Sequence, residues 1–333
     1  MEQTFVTAEN VESAERAAPS VPRNRRDERR NFNRRRETAL GWCMALPPVI
    51  GFLVFTLVPL IISFVMSLNE FSRYSYSLAD MTFCGFENYA AIFTDPDLWK
   101  ALGITLLLCL SIPFEIFFGL LIANLLRKPF FGRRAVRVIF FLPSICSIVA
   151  LAFVWTYMYS PQEYGLFNRI ISWFGAGPWG WTTDSHAFLV CIIIMTIWSM
   201  MGYDALMFQA QIGNINQSMY ESAELDGANC IHKFFRITVP MATPMIFYLL
   251  LIGVIGAMQS YARIDAMDID PYGMGPEDSG LTLVGYMMRA QEEPIAFGGL
   301  GISAATSFFL GIIIAVMTIV NLKVSKRWVH YND

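Results

Sequence analysis

The sequence predicts an all-α integral membrane protein with six transmembrane helices. Three observations carry that expectation. Of 333 residues, 55% are hydrophobic and only 15% charged, where soluble domains run near about 25% charged. The mean hydropathy is +0.46. The apolar residues also fall in long runs, and a helix needs roughly 20 mostly apolar residues to cross a bilayer.

Six runs reach that length: Leu40 to Leu68, Ala101 to Leu126, Val138 to Met158, Ala187 to Met207, Met241 to Met258, and Ala304 to Leu322. Several contain proline, at Pro47, Pro48, Pro59, Pro113 and Pro143. Membrane helices tolerate proline where neighbours re-satisfy the freed carbonyls. Ahead of the first run lies a tail, residues 1–38, with Arg23, Arg25, Arg26, Arg29, Arg30, Arg34, Arg35 and Arg36. It has no apolar core, so it does not read as a signal peptide. It reads as disordered chain held near anionic lipid, with residues 39–333 forming the membrane domain.

Loop charge sets the orientation. Besides the tail, Arg127, Lys128, Arg133, Arg134 and Arg137 follow the second run, and Lys323, Lys326 and Arg327 follow the last. The alternate loops are acidic or nearly neutral. One holds Glu70, Asp80, Glu87, Asp95 and Asp97 against Arg73 and Lys100; the other holds Asp265, Asp268, Asp270, Glu277, Asp278, Glu292 and Glu293 against Arg263 and Arg289. Both termini are therefore expected in the cytoplasm of a multi-pass cell-membrane protein, and with them the polar loop of about 213–240. The net charge of −3 suggests no nucleic-acid partner.

The chain lacks the marks of a catalyst. Cys43, Cys84, Cys109, Cys146, Cys191 and Cys230 form no CxxC pair, and His186, His232 and His330 are isolated. These read as packing residues and not as metal ligands. No G-x-x-x-x-G-K-[ST] occurs, so ATP, if used, is bound elsewhere. A membrane enzyme such as an acyltransferase would need a clustered acid, base or metal set, and none is visible. A stand-alone secondary transporter would need an ion-coupling network across several spans.

The loop at 213–240 is patterned as a helical hairpin. Ser218-Met219-Tyr220-Glu221 fits a capping box. Tyr220, Ala223 and Gly227 share a face by spacing, and two of the three are small enough for a partner backbone to approach. Gly227 can supply the positive-φ bend that ends the first helix. Ile231, Phe234 and Phe235 form a stripe on a second short helix, and Pro240 and Pro244 mark the return to the membrane. A hairpin lying on lipid headgroups would share these features.

Glu221-Ser222-Ala223-x-x-Asp226-Gly227-Ala228, five residues, then Phe234-x-x-Ile237-x-Val239-Pro240 resembles the EAA motif of binding-protein-dependent ABC importers. Ser222 stands for an Ala and Val239 for a Leu. The resemblance continues in "GFENYAAIFTDPDLWKAL" from Gly85, "RVIFFLPSICSIVALAFVW" from Arg137, "EYGLFNRII" from Glu163, and "GMGPEDSGLTLVGYMMRA" from Gly273. Those stretches look like maltose- and glycerol-3-phosphate-type sugar permeases, and the C-terminal "SKRWVHYND" looks like the first of their two permease partners. Met274 interrupts the usual glycine pair. The resemblance implies a permease subunit for uptake of a sugar or oligosaccharide. It implies a second homologous permease, a cytoplasmic ATPase dimer that binds ATP and Mg, and an extracytoplasmic solute-binding protein meeting the loops 71–100 and 262–301. It assigns Glu221, Ala223, Asp226 and Gly227 to the ATPase contact, with Phe234 and Phe235 anchoring the hairpin.

Polar groups at membrane depth locate the expected substrate path. A central Asp costs about 2.5–3.5 kcal/mol on insertion scales, so such groups face a cavity or a partner. Glu115, Asp204 and Gln259 qualify, with Trp155, Trp198, Tyr203 and Tyr261 nearby in sequence or in a neighbouring span. Asp204 stands where the family often carries an amide, and Gln259 resembles a Gln common there. Carboxylates and amides suit sugar hydroxyls, and aromatics suit the C–H face. Gln259, Asp204, Glu115, Trp155 and Tyr261 are therefore the expected lining. The six runs contain no Arg, which favours an uncharged sugar over glycerol-3-phosphate or another small polar solute.

Overall fold

The computed structural model describes residues 23–71, 81–268, 274–294 and 298–329. Residues 1–22, Arg73, Asp80, Asp270, Gly273 and His330 lie outside the described residues. The chain divides into two compact units, Met1–Ile62 and Ser63–Asp333.

In the first unit, helix α1 (Arg23–Phe52) runs into a π-helical turn, Leu53–Leu57, and continues as α2 (Val58–Ser67). Helix α1 thus begins within the Arg-rich segment, at Arg23. Residues 23–40 contain neither Gly nor Pro and are rich in Arg, a good helix former. The π turn has a local cause. Pro59 follows it, and a proline ring clashes with the carbonyl four residues back, here Phe55, so the helix widens there. Leu40–Ser67 is long and apolar enough to cross a membrane, and no residue of its most apolar window is buried.

The second unit begins at Ser63, within α2, and continues into a small hairpin. Strands β1 (Asn69–Phe71) and β2 (Met81–Phe83) pair antiparallel with Asn69 opposite Phe83. Helices α3 (Glu87–Thr94), α4 (Pro96–Leu108) and α5 (Ser111–Leu125) follow. Asp95 caps α4 and Pro96 occupies its first turn, so the second apolar helix starts before the expected Ala101. Next come α6 (Arg133–Ile145), α7 (Ile148–Met158), α8 (Leu166–Ser172) and α9 (Ser185–Gly213). The polar segment holds α10 (Gln217–Leu225), α11 (Cys230–Lys233), a second π-helical turn at Phe234–Thr238, and α12 (Val239–Met241). Pro240 stands to that turn as Pro59 stands to the first. The chain closes with α13 (Thr243–Met258), α14 (Ala262–Met267), α15 (Leu283–Glu292) and α16 (Gly299–Ser325).

Four helical stretches are long and apolar enough to span: Leu40–Ser67, Pro96–Leu125, Ser185–Gly213 and Gly299–Ser325. Two more candidates are bent. The run expected as one helix from Val138 to Met158 breaks between α6 and α7 at 104°, and the fifth meets the polar segment at 67°. Pro143 lies in the last turn of α6, and Cys146 and Ser147 are extended between the two helices. An apolar run reports length and not straightness.

Helix α9 is the central element, packed on α5 and α6. Gly202 makes this possible, because a Cβ there would collide with the Phe140 carbonyl. Beside it, a Cβ on Gly119 of α5 would come within 2.5 Å of the Asp204 Cβ. The two acids of the interior therefore project from adjoining helices.

Candidate functional site

The polar segment folds as a capped hairpin. Asn216, not the expected Ser218, is the N-cap: its Oδ1 accepts from the Ser218 N–H at 3.1 Å. Asn caps as well as Ser, so Ser218 falls inside the first turn. Gly227 ends α10 at φ +78°. The Ala228 N–H donates to the Ala223 carbonyl at 2.9 Å and the Gly227 N–H to the Glu224 carbonyl at 3.1 Å, the two bonds of a Schellman cap. Asn229 then caps α11 by accepting from the His232 N–H at 2.8 Å.

Side chains lock the two limbs together. The Lys233 ammonium, nearly buried, donates to Glu224 at 2.6 Å. Lys128, from the preceding basic loop, approaches the same carboxylate at 3.9 Å. Tyr220 is buried, 3.0 Å from the Thr238 hydroxyl, and the Arg127 guanidinium lies 3.6 Å over its ring. Tyr220 therefore faces inward and does not share an outward face with Ala223 and Gly227. Phe234 is buried in the cluster with Phe208, Ile212 and Ala242. Phe235 is exposed; the π turn places consecutive residues on different sides. Glu221, Asp226 and Gly227 are exposed and Ala223 half-buried. The surface also carries apolar side chains that the motif leaves unspecified: Leu225 is 91% and Ile231 69% exposed.

The second site is a cavity of about 330 Å³, at the small end of ligand pockets. Glu115 and Ser111 of α5, Thr196, Tyr203 and Asp204 of α9, and Gln259, Ser260, Tyr261 and Arg263 around the α13–α14 junction line it, with Ile112, Leu249 and Gly253 among its apolar walls. Four of the five expected residues, Glu115, Asp204, Gln259 and Tyr261, thus meet in one place. The Tyr261 hydroxyl donates to Asp265 at 3.0 Å. Trp155 does not reach the cavity. Ile148, at the start of α7, does, but Trp155 lies two turns further along, roughly 10 Å on by helical rise. It is buried against Tyr159, Phe167 and Trp198, with ring centroids 5.2, 6.1 and 5.4 Å away. Arg263 was read as an external-loop charge. The short α14 follows α13 after three residues, and Arg263 on it lines the cavity; nothing in the local sequence signals that placement. Among the described residues no cluster of metal ligands occurs.

The chain and its fold match known proteins. Residues 115–330 match the family described as binding-protein-dependent transport system inner membrane component. The chain is 29% identical over 292 residues to the arabinooligosaccharides transport system permease protein AraP of Bacillus subtilis (strain 168), covering 86% of this chain and 88% of that one. It is 32% identical over 250 residues to the sulfoquinovosyl glycerol transport system permease protein SmoG of Agrobacterium fabrum (strain C58 / ATCC 33970), covering 73% and 77%. It superposes with TM-score 0.75 and 26% identity on a chain from the crystal structure of a bacterial ABC transporter involved in the import of the acidic polysaccharide alginate, covering 90% of this chain and 99% of that one. With the family match spanning well over half its length, the chain belongs to the binding-protein-dependent transport system inner membrane components.

Proposed function

We propose that this chain is one of two permease subunits of an ABC importer for a sugar or oligosaccharide. In this reading each bent pair is one span, giving six, with both termini cytoplasmic. A solute-binding protein delivers cargo at the external loops, and ATP is hydrolysed on a separate ATPase dimer. Closure of that dimer pushes the hairpin, rotates the helices it joins, and exchanges inward-facing for outward-facing states. The relatives' named cargoes, arabinooligosaccharides, sulfoquinovosyl glycerol and alginate, put saccharides first among substrates.

The observation that carries the reading is the hairpin itself. It is cross-braced from within by Lys233–Glu224 and Tyr220–Thr238, yet it exposes Leu225 and Ile231. A braced polar hairpin with uncovered apolar side chains suits insertion into a protein cleft.

The test is co-purification. The tagged chain is co-expressed with its companion permease and ATPase, as wild type and as Leu225→Glu. Leu225 is almost fully exposed, so the variant keeps its fold while placing a charge in the joint. A tenfold or greater loss of bound ATPase from a still-inserted variant supports the reading. Equal recovery from both would refute the hairpin as the joint, and absence of ATPase from wild type would refute the importer role.

A further inference from the structure

We propose that the basic loop between α5 and α6, with the first turn of α6, binds an anionic phospholipid of the leaflet on the hairpin's side. This rests on the chain's membrane class and goes beyond the permease reading. The five cations of the loop divide into two sets. Arg127 lies over the Tyr220 ring and Lys128 approaches Glu224 at 3.9 Å, so both are committed to the hairpin. Arg133, Arg134 and Arg137 enter no ion pair among the described residues. The Arg133 Nε is buried without a hydrogen-bond partner, and Arg134 and Arg137 are exposed. At 3.6 residues per turn, the three lie within about 100° of arc at the start of α6. A guanidinium offers five donors and accepts nothing. Its planar fork matches phosphate oxygens with two parallel charge-assisted bonds. Three on one turn, paired with no acid, suit a phosphate headgroup.

The same place carries an apolar half. Phe131, just ahead of the arginines, is fully exposed. Beyond them α6 keeps Val138, Ile139, Leu142 and Ile145 exposed, and with α7 it forms one of the bent pairs long and apolar enough to span. The cations therefore border a surface of the kind that acyl chains cover. Long basic side chains at such a border reach to the headgroup level while their stems stay on apolar ground. An anionic phospholipid supplies both halves, a phosphate for the guanidiniums and chains for Phe131 and the α6 face. A soluble acidic partner would meet the charges and leave the apolar face uncovered. A zwitterionic lipid brings its own cation beside the phosphate and so competes with the arginines. Because α6 packs on α9 and the loop holds the hairpin through Arg127 and Lys128, a lipid here would also fix the depth of the loop beside the hairpin.

The test is photo-crosslinking. Phe131 is replaced by p-benzoylphenylalanine in the complete complex, held in nanodiscs of equal parts phosphatidylglycerol and phosphatidylcholine, and the lipid adducts are weighed by mass spectrometry. With the arginines intact, phosphatidylglycerol adducts should exceed phosphatidylcholine adducts about fivefold or more, roughly the factor one cation provides near an anionic surface. Arg134→Gln with Arg137→Gln should remove most of that enrichment. Both side chains are exposed, so the fold is kept, and Lys at both positions should keep the enrichment. Inorganic phosphate, compared with chloride at equal ionic strength, should leave the ratio unchanged. Four results would each overturn the proposal: a ratio near one with the arginines intact, a ratio unchanged by the double Gln variant, adducts to a protein subunit in place of lipid, or enrichment lost to free phosphate. The last two would assign the loop to a protein contact or to a soluble anion. ATPase co-purification, recorded on the same preparations, reports separately on the permease reading and on folding of the variants.

Discussion

Single residues set the geometry of both sites. Gly227 stands at φ +78°, where a side chain costs about 1–2 kcal/mol of backbone strain. Its Cβ position is otherwise open. Gly227→Ala should therefore weaken the hairpin through strain alone, seen as faster amide exchange at residues 217–238 with the spans unchanged. Gly202 is the opposite case. There the backbone is ordinary and the space is missing, because the Phe140 carbonyl occupies it. Gly202→Val must part α6 from α9, and yield of the folded protein should collapse; normal yield and melting would contradict the contact. Gly227 was legible in the sequence, since a helix needs a positive-φ stop. Gly202 was not, since its demand comes from a helix some 60 positions away in the chain.

Elements are joined by charge at both ends of the molecule. On the hairpin, the Lys233 hydrogen bond and charge, helped by Lys128, hold the Glu224 carboxyl below its usual range. A lowered carboxylate stabilises the fold above its unfolded-state pKa of about 4.3, and that contribution is lost as pH falls through the lowered value. Protection at 217–238, corrected for intrinsic rates, should thus stay constant between pH 7 and pH 5, then fall at lower pH. Glu224→Gln should show the loose hairpin already at pH 7. At the other end, the two loops expected to face the binding protein are tied to each other. The Tyr286 hydroxyl donates to Asp95 at 2.6 Å, the Lys100 ammonium to the Glu277 carbonyl at 2.7 Å, and Arg289 pairs with Asp278 and approaches Asp97 at 3.9 Å. Burial and the adjacent Asp95 push the Tyr286 phenol well above its usual range, so it stays a donor at any working pH. Tyr286→Phe removes a hydrogen bond to a charged group, about 1.5–3 kcal/mol, and should lower the melting temperature of the purified complex.

At the scale of the whole molecule, the prediction is topological. Cys230 is exposed in the hairpin. A variant retaining only Cys230 should resist an impermeant maleimide added to intact cells and react in inverted vesicles. A cysteine at Glu277, in the opposite acidic loop, should show the reverse. Labelling of both from one side would break the six-span arrangement.

The sequence by itself determined the membrane class, the positions of the apolar runs, and the hairpin with its Gly stop. These are one-dimensional signals: a length of apolar chain, a period, or a backbone angle that one residue type permits. Only the tertiary structure decided what meets across the interior. The bend after Ile145 carries Trp155 off into an aromatic cluster, and the packing of α14 brings Arg263 to a cavity shared with Glu115, nearly 150 residues earlier. A polar residue in an apolar run announces that it needs company. Which company it finds depends on helix crossings and chain reversals, set by packing among segments distant in the chain.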